Sequence, residues 1–175
     1  VALAAARDRD IAALVLVAGM GTTGAELVLE QQRLLLARSR FSEAEREERM
    51  ALQKRIHAAV VTGEGWEALP AEVRRQADTP WFRSLLLFDP AKAMARTRQP
   101  LLILHGRDDD VVPPHHAERL AALARARRKA GPVVVEIVEG AGHDLTAAAA
   151  GDGRPAPALH PDIVGRLVAW LRDTL

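Results

Sequence analysis

The sequence contains no cysteine and no tyrosine, and aromatic residues make up only 3% of it. The lack of cysteine excludes disulfides, thiol catalysis and cysteine metal sites, and it leaves the cellular compartment open. No sign of charge dominates, since there are 24 Lys and Arg residues and 23 Asp and Glu residues, with a formal net charge of +1. That balance argues against nucleic acid or an anionic membrane as a partner. No apolar run approaches the length of a transmembrane helix.

Three short apolar runs predict buried strands in a chain whose 175 residues suit one domain or part of a larger one. They are IAALVLVAG at residues 11–19, PLLILHG at 100–106 and PVVVEIVEG at 132–140. Each is nearly all apolar and is bounded by Gly or Pro. Strands of this kind are typical of a parallel sheet that is covered by helices on both faces.

Helical patterns lie between and after the last two predicted strands. A helix is expected to begin at Pro114 and to end before Gly131. A loop rich in Gly, Ala and Pro is expected over residues 151–161, and residues 161–175 predict a closing helix. Strand, helix, strand and helix in this order are the repeating unit of an α/β fold. The expected buried face of the closing helix comprises Ile163, Val164, Leu167, Val168 and Leu171.

The stretch between the first and second strands is different, because it carries helical signals and no convincing strand. We expect residues 1–21 and 99–175 to form the core that contains the sheet, and residues 22–98 to form a helical insertion. Ser42 and Glu45 have the spacing of a capping box at the start of one of its helices. The insertion is either a compact structural element or a cap over a site, and the sequence leaves both open.

Two polar loops follow predicted strands. HGRDDDVVP, at residues 105–113, follows the second strand, and EGAGHD, at residues 139–144, follows the third. Because ligands of α/β sheets bind at the carboxyl ends of the strands, we expect an aspartate and a histidine to meet there. A carboxylate that accepts a hydrogen bond from one imidazole nitrogen fixes the tautomer. The other nitrogen is then free to take a proton from a nucleophile.

These loops resemble those of the α/β-hydrolases, especially bacterial serine esterases related to dienelactone hydrolases and certain serine peptidases. Residues 79–106, TPWFRSLLLFDPAKAMARTRQPLLILHG, are also similar to the segment before the acid in that group. The resemblance extends over essentially the whole chain. It implies the C-terminal part of an α/β-hydrolase fold, with parallel strands, flanking helices and a helical cap-like insertion. The matched motifs are G-x-x-D-x-x-V-P at Gly106, Asp109, Val112 and Pro113, and G-x-G-H at Gly140, Gly142 and His143.

The resemblance implies a role for one aspartate and one histidine. Asp109 stands where the family's triad acid stands, and His143 stands where its histidine stands. Asp108 and Asp110, which flank the acid, are expected to be solvated turn residues. The implied reaction is hydrolysis of small carboxylic esters or thioesters by a serine enzyme, with no cofactor and no metal ion.

The nucleophile of that family is absent from the sequence. It would lie on a Gly-x-Ser-x-Gly turn between a strand and a helix, ahead of the acid, and no such turn occurs. The serines are Ser39, Ser42 and Ser84, and none follows a predicted strand. We therefore expect the N-terminal part of the same fold to be missing and the chain to be inactive alone. The open edge of the first strand would then pair with that missing part or with a second copy of the chain.

The remaining histidines are assigned structural roles. His105 is expected to pack near the acid, and His57 and His160 are expected to be surface or capping residues. His115 and His116 open a helix beside three aspartates. A metal site there is disfavoured, because adjacent helical residues point about 100° apart and do not readily bind one ion.

Two classes of function fit the sequence. The first is the C-terminal portion of a serine ester hydrolase, for which Trp81 and Phe82 are candidates for an acyl pocket. A role in the core is equally open for these two aromatic residues. The second is a non-catalytic remnant of the fold that acts as a binding or interaction module. The expected partner of the first is a small-molecule ester, and neither requires nucleic acid or a membrane.

Overall fold

The structure is a computed structural model that describes residues 2–6, 8, 10–128, 131–146 and 159–175. Most of the loop expected over residues 151–161 lies outside the described residues. The chain divides into two compact units, Val1–Thr22 with Pro90–Leu175, and Thr23–Asp89. The elements are α1 (Ala2–Ala5), β1 (Leu14–Val17), α2 (Gly24–Ala37), α3 (Glu43–Thr62), a 3₁₀ turn (Trp66–Ala68), α4 (Ala71–Ala77), α5 (Pro80–Leu87), α6 (Pro90–Met94), β2 (Leu101–Gly106), α7 (His115–Arg125), β3 (Val133–Val138) and α8 (Pro161–Thr174).

The first unit, called the sheet unit below, contains a parallel sheet with the strand order β1-β2-β3. Strand β2 is buried along its whole length, which explains its uninterrupted apolar sequence. Leu101 pairs with Leu14 on one side and with Val133 on the other, so the carboxyl ends of the strands share one edge. Among the described residues, β1 pairs with β2 alone. The predicted parallel sheet with flanking helices is confirmed.

Helix α7 connects β2 to β3 and packs against both strands. Pro114 precedes its first turn, where the fixed φ of proline suits a helix start. Small side chains on the buried face let the helix approach the sheet closely. That face comprises His116, Ala117, Leu120, Ala121 and Ala124.

A buried arginine fixes the loops that lead into the two strands beside α7. The guanidinium of Arg127 donates to the carbonyl of Ala124 at the end of α7, 2.6 Å away. It also donates to the carbonyls of Gln99 at 3.1 Å and Gly131 at 3.2 Å, which precede β2 and β3. These bonds satisfy a charge that would otherwise be buried without partners.

Helix α8 packs on the sheet through a face that includes Ile163, Leu167 and Leu171 as we predicted, but that is turned toward Trp170. Val164 and Val168 are 51% and 40% exposed, so their assignment to the buried face was wrong. The indole of Trp170 buries more apolar area than either valine, and turning the helix toward it moves both valines to solvent. The side chains that contact the core are Ile163, Leu167, Trp170 and Leu171.

The second unit, called the helical unit below, contains helices α2 to α5. Thr23 and Ser42 both form capping boxes, in which the hydroxyl accepts a backbone N–H and a glutamate three residues later accepts the cap N–H. The box at Ser42 was predicted from the sequence. None of the described helices combines the length and the apolar character that a membrane span requires. The buried core of the unit comprises Ala59, Val60, Trp66, Leu69 and Leu86.

Helix α6 packs in the sheet unit, although we had placed it in the insertion over residues 22–98. It contacts α1 and α7, and it leads directly into the loop before β2. Pro90 and Met94 of this helix are buried. The chain therefore re-enters the sheet unit at Pro90.

Candidate active site

The first polar loop forms a tight turn around Asp109 directly after β2. The Asp109 N–H donates to the Gly106 carbonyl at 3.4 Å. Oδ1 of Asp109 accepts the backbone N–H groups of Val111 at 3.0 Å and Val112 at 2.7 Å. Because a short carboxylate that bonds to its own turn has little rotamer freedom, the second oxygen, Oδ2, points in a fixed direction.

The second polar loop reverses the chain after β3 and carries His143. Gly140 has a φ of +70°, a left-handed conformation that glycine adopts without a Cβ clash. The Gly142 N–H donates to the Thr146 carbonyl at 3.2 Å, and the Leu145 N–H donates to the Gly142 carbonyl at 3.1 Å. The Leu145 side chain lies in the core beneath α8. The loop is thus anchored from below while His143 stays partly exposed.

The two loops approach each other closely at Gly106, the last residue of β2. A Cβ at this position would lie 2.2 Å from the Ala141 carbonyl oxygen and 2.4 Å from the Gly142 carbonyl oxygen. The Asp108 N–H donates to the same Ala141 carbonyl at 3.0 Å. The glycine that opens the G-x-x-D motif is therefore needed for the histidine loop to reach the acid loop.

Asp109 and His143 form a hydrogen-bonded pair at the carboxyl edge of the sheet. Nδ1 of His143 lies 2.9 Å from Oδ2 of Asp109. Because an ionised carboxylate can only accept hydrogen bonds, Nδ1 of His143 carries a hydrogen and donates a hydrogen bond to Oδ2. The His143 side chain is 36% exposed, whereas the Asp109 side chain is inaccessible to solvent. Nε2 of His143 makes no hydrogen bond to a described residue, so it can take up and return a proton.

Comparison with known proteins identifies the family of this fold. The sequence pattern of the alpha/beta hydrolase family matches residues 1–158. The chain belongs to the alpha/beta hydrolase family. No curated protein sequence gave a match.

Solved structures of hydrolases are similar to this family member at low identity. An esterase from Thermogutta terrifontis is 22% identical with a TM-score of 0.47, and the match covers 99% of this chain and 61% of that one. A meta-cleavage product hydrolase from Pseudomonas fluorescens IP01 is 19% identical with a TM-score of 0.45, and the match covers 99% and 59%. The esterase RhEst1 from Rhodococcus sp. ECU1013 is 17% identical with a TM-score of 0.42, covering 98% and 58%. The chain spans about three fifths of the length of these structures.

Of the three consecutive aspartates in this hydrolase-family chain, only Asp109 is buried. The side chains of Asp108 and Asp110 are exposed, as we expected of turn residues. The first polar loop therefore directs one carboxylate inward and two outward.

His105 packs near the acid, as we expected, and its ring reaches the carboxylate itself. This fully buried side chain lies on β2, and its Nε2 is 3.2 Å from Oδ2 of Asp109. The same nitrogen is 2.7 Å from the carbonyl oxygen of Val112. No motif marks this contact, because a strand residue reaches a side chain four positions later only if the chain folds back. The signal in the sequence was a single polar residue inside an apolar strand.

Three further histidines have structural contacts. Nδ1 of His116 accepts the Gly21 N–H at 3.0 Å, and the His116 ring stacks on that of His115 with centroids 4.5 Å apart. His160 caps α8, as expected, because its Nδ1 accepts the Asp162 N–H at 3.3 Å. Nδ1 of His116 is therefore engaged in a hydrogen bond with the backbone.

His57 is buried within the helical unit, so our expectation of a surface or capping residue was wrong. Its side chain is 7% exposed, its Nε2 lies 3.0 Å from the Gln53 amide nitrogen, and its ring meets Phe82 edge to face. Burial lowers the pKa of His57, because the charged imidazolium would lose its hydration. The amphipathic pattern of α3 did not distinguish this position from its polar neighbours.

Trp81 and Phe82 line a cavity of about 310 Å³ in the helical unit. Their rings stack at 6.4 Å with an interplanar angle of 20°. Trp81 is 72% exposed, whereas Phe82 packs against the helical core. A cavity with aromatic walls and a few amides suits a small apolar group. The other lining residues are Gln53, Ile56, Val73, Gln76, Ala77 and Thr79.

The three serines lie in the helical unit, within its helices or beside their ends. Ser39 donates through Oγ to the Leu36 carbonyl at 2.6 Å, and Ser42 caps α3. Ser84 lies within α5. None of them lies on a strand-to-helix turn between glycines, which is where this family holds its nucleophile.

Proposed function

We propose that the protein is a serine hydrolase of carboxylic esters or thioesters, and that Asp109 and His143 are the acid and the histidine of its triad. The observation that carries the proposal is the hydrogen bond from His143 Nδ1 to Asp109 Oδ2, with Nε2 open on the exposed side. Membership of the alpha/beta hydrolase family supports it, since the family places nucleophile, acid and histidine in that chain order. The resemblance of residues 79–106 to the segment before the acid in bacterial esterases favours an esterase related to dienelactone hydrolases.

In the proposed reaction, Nε2 of His143 takes the proton of a serine hydroxyl as the hydroxyl oxygen attacks the ester carbonyl carbon. Asp109 stabilises the resulting imidazolium. The Nε2–H then protonates the leaving alkoxide or thiolate, so the bond to the leaving group breaks and an acyl-enzyme remains. Water attacks this acyl group and gives its proton to Nε2. The serine oxygen regains that proton as the carboxylic acid leaves.

We further propose that the nucleophilic serine lies outside these 175 residues. The three serines support this, because Ser39 follows the end of α2, Ser42 caps α3 and Ser84 lies within α5. The open edge of β1 is where we propose that further strands of the same fold, or a second copy of the chain, pair.

For the helical unit we propose a role in substrate binding through Trp81 and Phe82. The proposal is supported by the cavity that these side chains line and by the exposure of the Trp81 indole. An exposed indole beside a cavity offers a large apolar surface for contact with a bound molecule.

Labelling of the full-length protein with a fluorophosphonate tests the proposed function. The activated serine oxygen would attack phosphorus and expel fluoride, which leaves a stable phosphonyl-enzyme. We expect rapid labelling of the wild-type protein and of Asp108→Asn, a control whose side chain is exposed. His143→Ala should not be labelled. Unchanged labelling of a folded His143→Ala protein would contradict the assignment, and ester binding without any labelling would favour the non-catalytic binding module.

A further inference from the structure

We infer that His105 is a positioning residue for the acid, which holds the Asp109 turn closed and directs its carboxylate toward His143. The inference rests on the proposed function, because it adds a residue to the same site. His105 would act on His143 through Asp109.

His105 holds the acid turn through Val112. The Nε2–H of His105 donates to the Val112 carbonyl at 2.7 Å, while the Val112 N–H donates to Oδ1 of Asp109 at 2.7 Å. Val112 is therefore fixed from both sides, once by the strand and once by the carboxylate. Loss of the bond from His105 would free Val112, whose N–H helps to orient the Asp109 carboxylate.

The same nitrogen also acts on the carboxylate oxygen that His143 uses. Nε2 of His105 lies 3.2 Å from Oδ2 of Asp109, and Nδ1 of His143 lies 2.9 Å from it. His143 donates a hydrogen bond to this oxygen from the exposed side. The single Nε2–H of His105 is donated to the Val112 carbonyl, and the nitrogen contacts Oδ2 from inside the sheet. This inner contact limits the space open to Oδ2, so it helps to keep the oxygen directed toward the N–H of His143.

A histidine at position 105 carries a cost in folding free energy, because one of its ring nitrogens is left without a partner among the described residues. Nδ1 of His105 is buried and has no hydrogen-bond partner in the part of the chain that the structure describes. Leaving a polar atom buried without a partner is unfavourable, and an apolar side chain in the strand would avoid this loss. A histidine at this position is therefore accounted for by what its Nε2 does at Val112 and Asp109.

Histidine tautomers in the full-length wild-type protein provide the first test. Long-range proton–nitrogen NMR correlations of ¹⁵N-histidine-labelled protein distinguish the two ring nitrogens of each residue. We expect the proton of His105 on Nε2 and a proton of His143 on Nδ1. A resting protein with the His105 proton on Nδ1 alone would overturn the inference, because Nε2 could not then donate to Val112.

Two variants separate positioning from packing. His105→Leu fills the strand position without a donor, and His105→Gln keeps an N–H near the place of Nε2. In His105→Leu we expect the Nδ1–H tautomer of His143 to lose population and kcat for ester hydrolysis to fall by about tenfold or more, with KM unchanged. His105→Gln should restore most of both. Equal losses in the two variants, or wild-type behaviour of His105→Leu, would contradict a positioning role.

The two proposals fail in different ways. If the wild-type protein is not labelled by the fluorophosphonate, the hydrolase assignment falls, and the tautomer measurement still decides whether His105 holds the turn. If labelling depends on His143 but His105→Leu is normal, the hydrolase assignment stands and the role of His105 falls. If His105→Leu does not fold, the wild-type tautomers and His105→Gln decide the question.

Discussion

The two units of the chain use buried polar groups differently. In the sheet unit, His105 and His143 converge on one oxygen of Asp109 at the end of β2. In the helical unit, the buried imidazole of His57 contacts an amide and a phenyl ring rather than a charge. Bringing several polar groups together in a buried place costs free energy, because each group loses its hydration. Such clusters occur where a functional site needs a charge at a fixed position. Variants of the sheet unit should therefore change rates, and variants of the helical unit should change binding or stability.

The largest effect is expected from removing the negative charge of the acid. In Asp109→Asn, the amide can present N–H groups to His143 and favour the wrong imidazole tautomer. We expect kcat for ester hydrolysis to fall by about 10⁴-fold. Asp108→Asn makes the same chemical change one residue away on an exposed side chain, and its steady-state rate should match the wild type. Comparable losses in both variants would place the effect in the turn rather than in the carboxylate.

A smaller effect is expected from separating the two loops. The methyl group of Gly106→Ala would meet the Ala141 carbonyl at 2.2 Å, so one loop must move. We expect the free energy of unfolding to fall by about 1–3 kcal/mol, and kcat to fall with it. Gly142→Ala is the matched control, because a Cβ there meets no atom within 4 Å. Chemical denaturation should show a change of less than about 1 kcal/mol in that control, and equal losses in both would refute the close-approach explanation.

A milder effect is expected from the helical unit, on binding rather than on chemistry. Trp81→Ala removes an exposed aromatic wall of the cavity, so KM for aromatic or acyl esters should rise by about three- to tenfold while kcat stays within about twofold. Val164→Ala, on the exposed face of α8, is a control for loss of an exposed apolar side chain. A fall in kcat without a change in KM would show that Trp81 acts on the chemical step.

The smallest effect is expected at His57 and appears as a pH dependence of stability. Burial lowers the pKa of His57 in the folded state, so the unfolded state binds the proton first as the pH falls below about 6.5. Stability of the wild type is therefore fully present above that pH and declines below it. In His57→Leu, the difference in Tm between about pH 7.5 and about pH 5.5 should be smaller than in the wild type. An unchanged difference would mean that another group produces the decline.

Much of the sheet unit could be predicted from the sequence, because its signals are local. Apolar runs bounded by Gly and Pro marked the three strands, and Pro114 marked the start of α7. The chain order of the two polar loops placed Asp109 and His143 at one edge of a parallel sheet, and the structure brings them to 2.9 Å. These features depend on periodicity and on strand direction, which a sequence carries directly.

The rest depends on packing that no short pattern contains. The apolar residues of α8 fit two overlapping faces, and only contact with the sheet selects the one with Trp170. We expected His105 to pack near the acid, but the approach of its Nε2 to Oδ2 of Asp109 requires the chain to fold back after β2. The need for glycine at Gly106 arises from the approach of Ala141, which lies 35 positions further along the chain in sequence numbering. In each case a partner that is distant or ambiguous in the sequence decides the outcome.

The central claim is that Asp109 and His143 act as one unit in ester hydrolysis, and a double-mutant cycle measures this directly. The steady-state kcat of the full-length wild type is compared with that of Asp109→Asn, His143→Ala and the combined variant. We predict that the combined variant is no slower than His143→Ala alone, because an acid that acts only through the histidine has no effect once the imidazole is removed. A combined loss equal to the product of the two single losses would contradict the account.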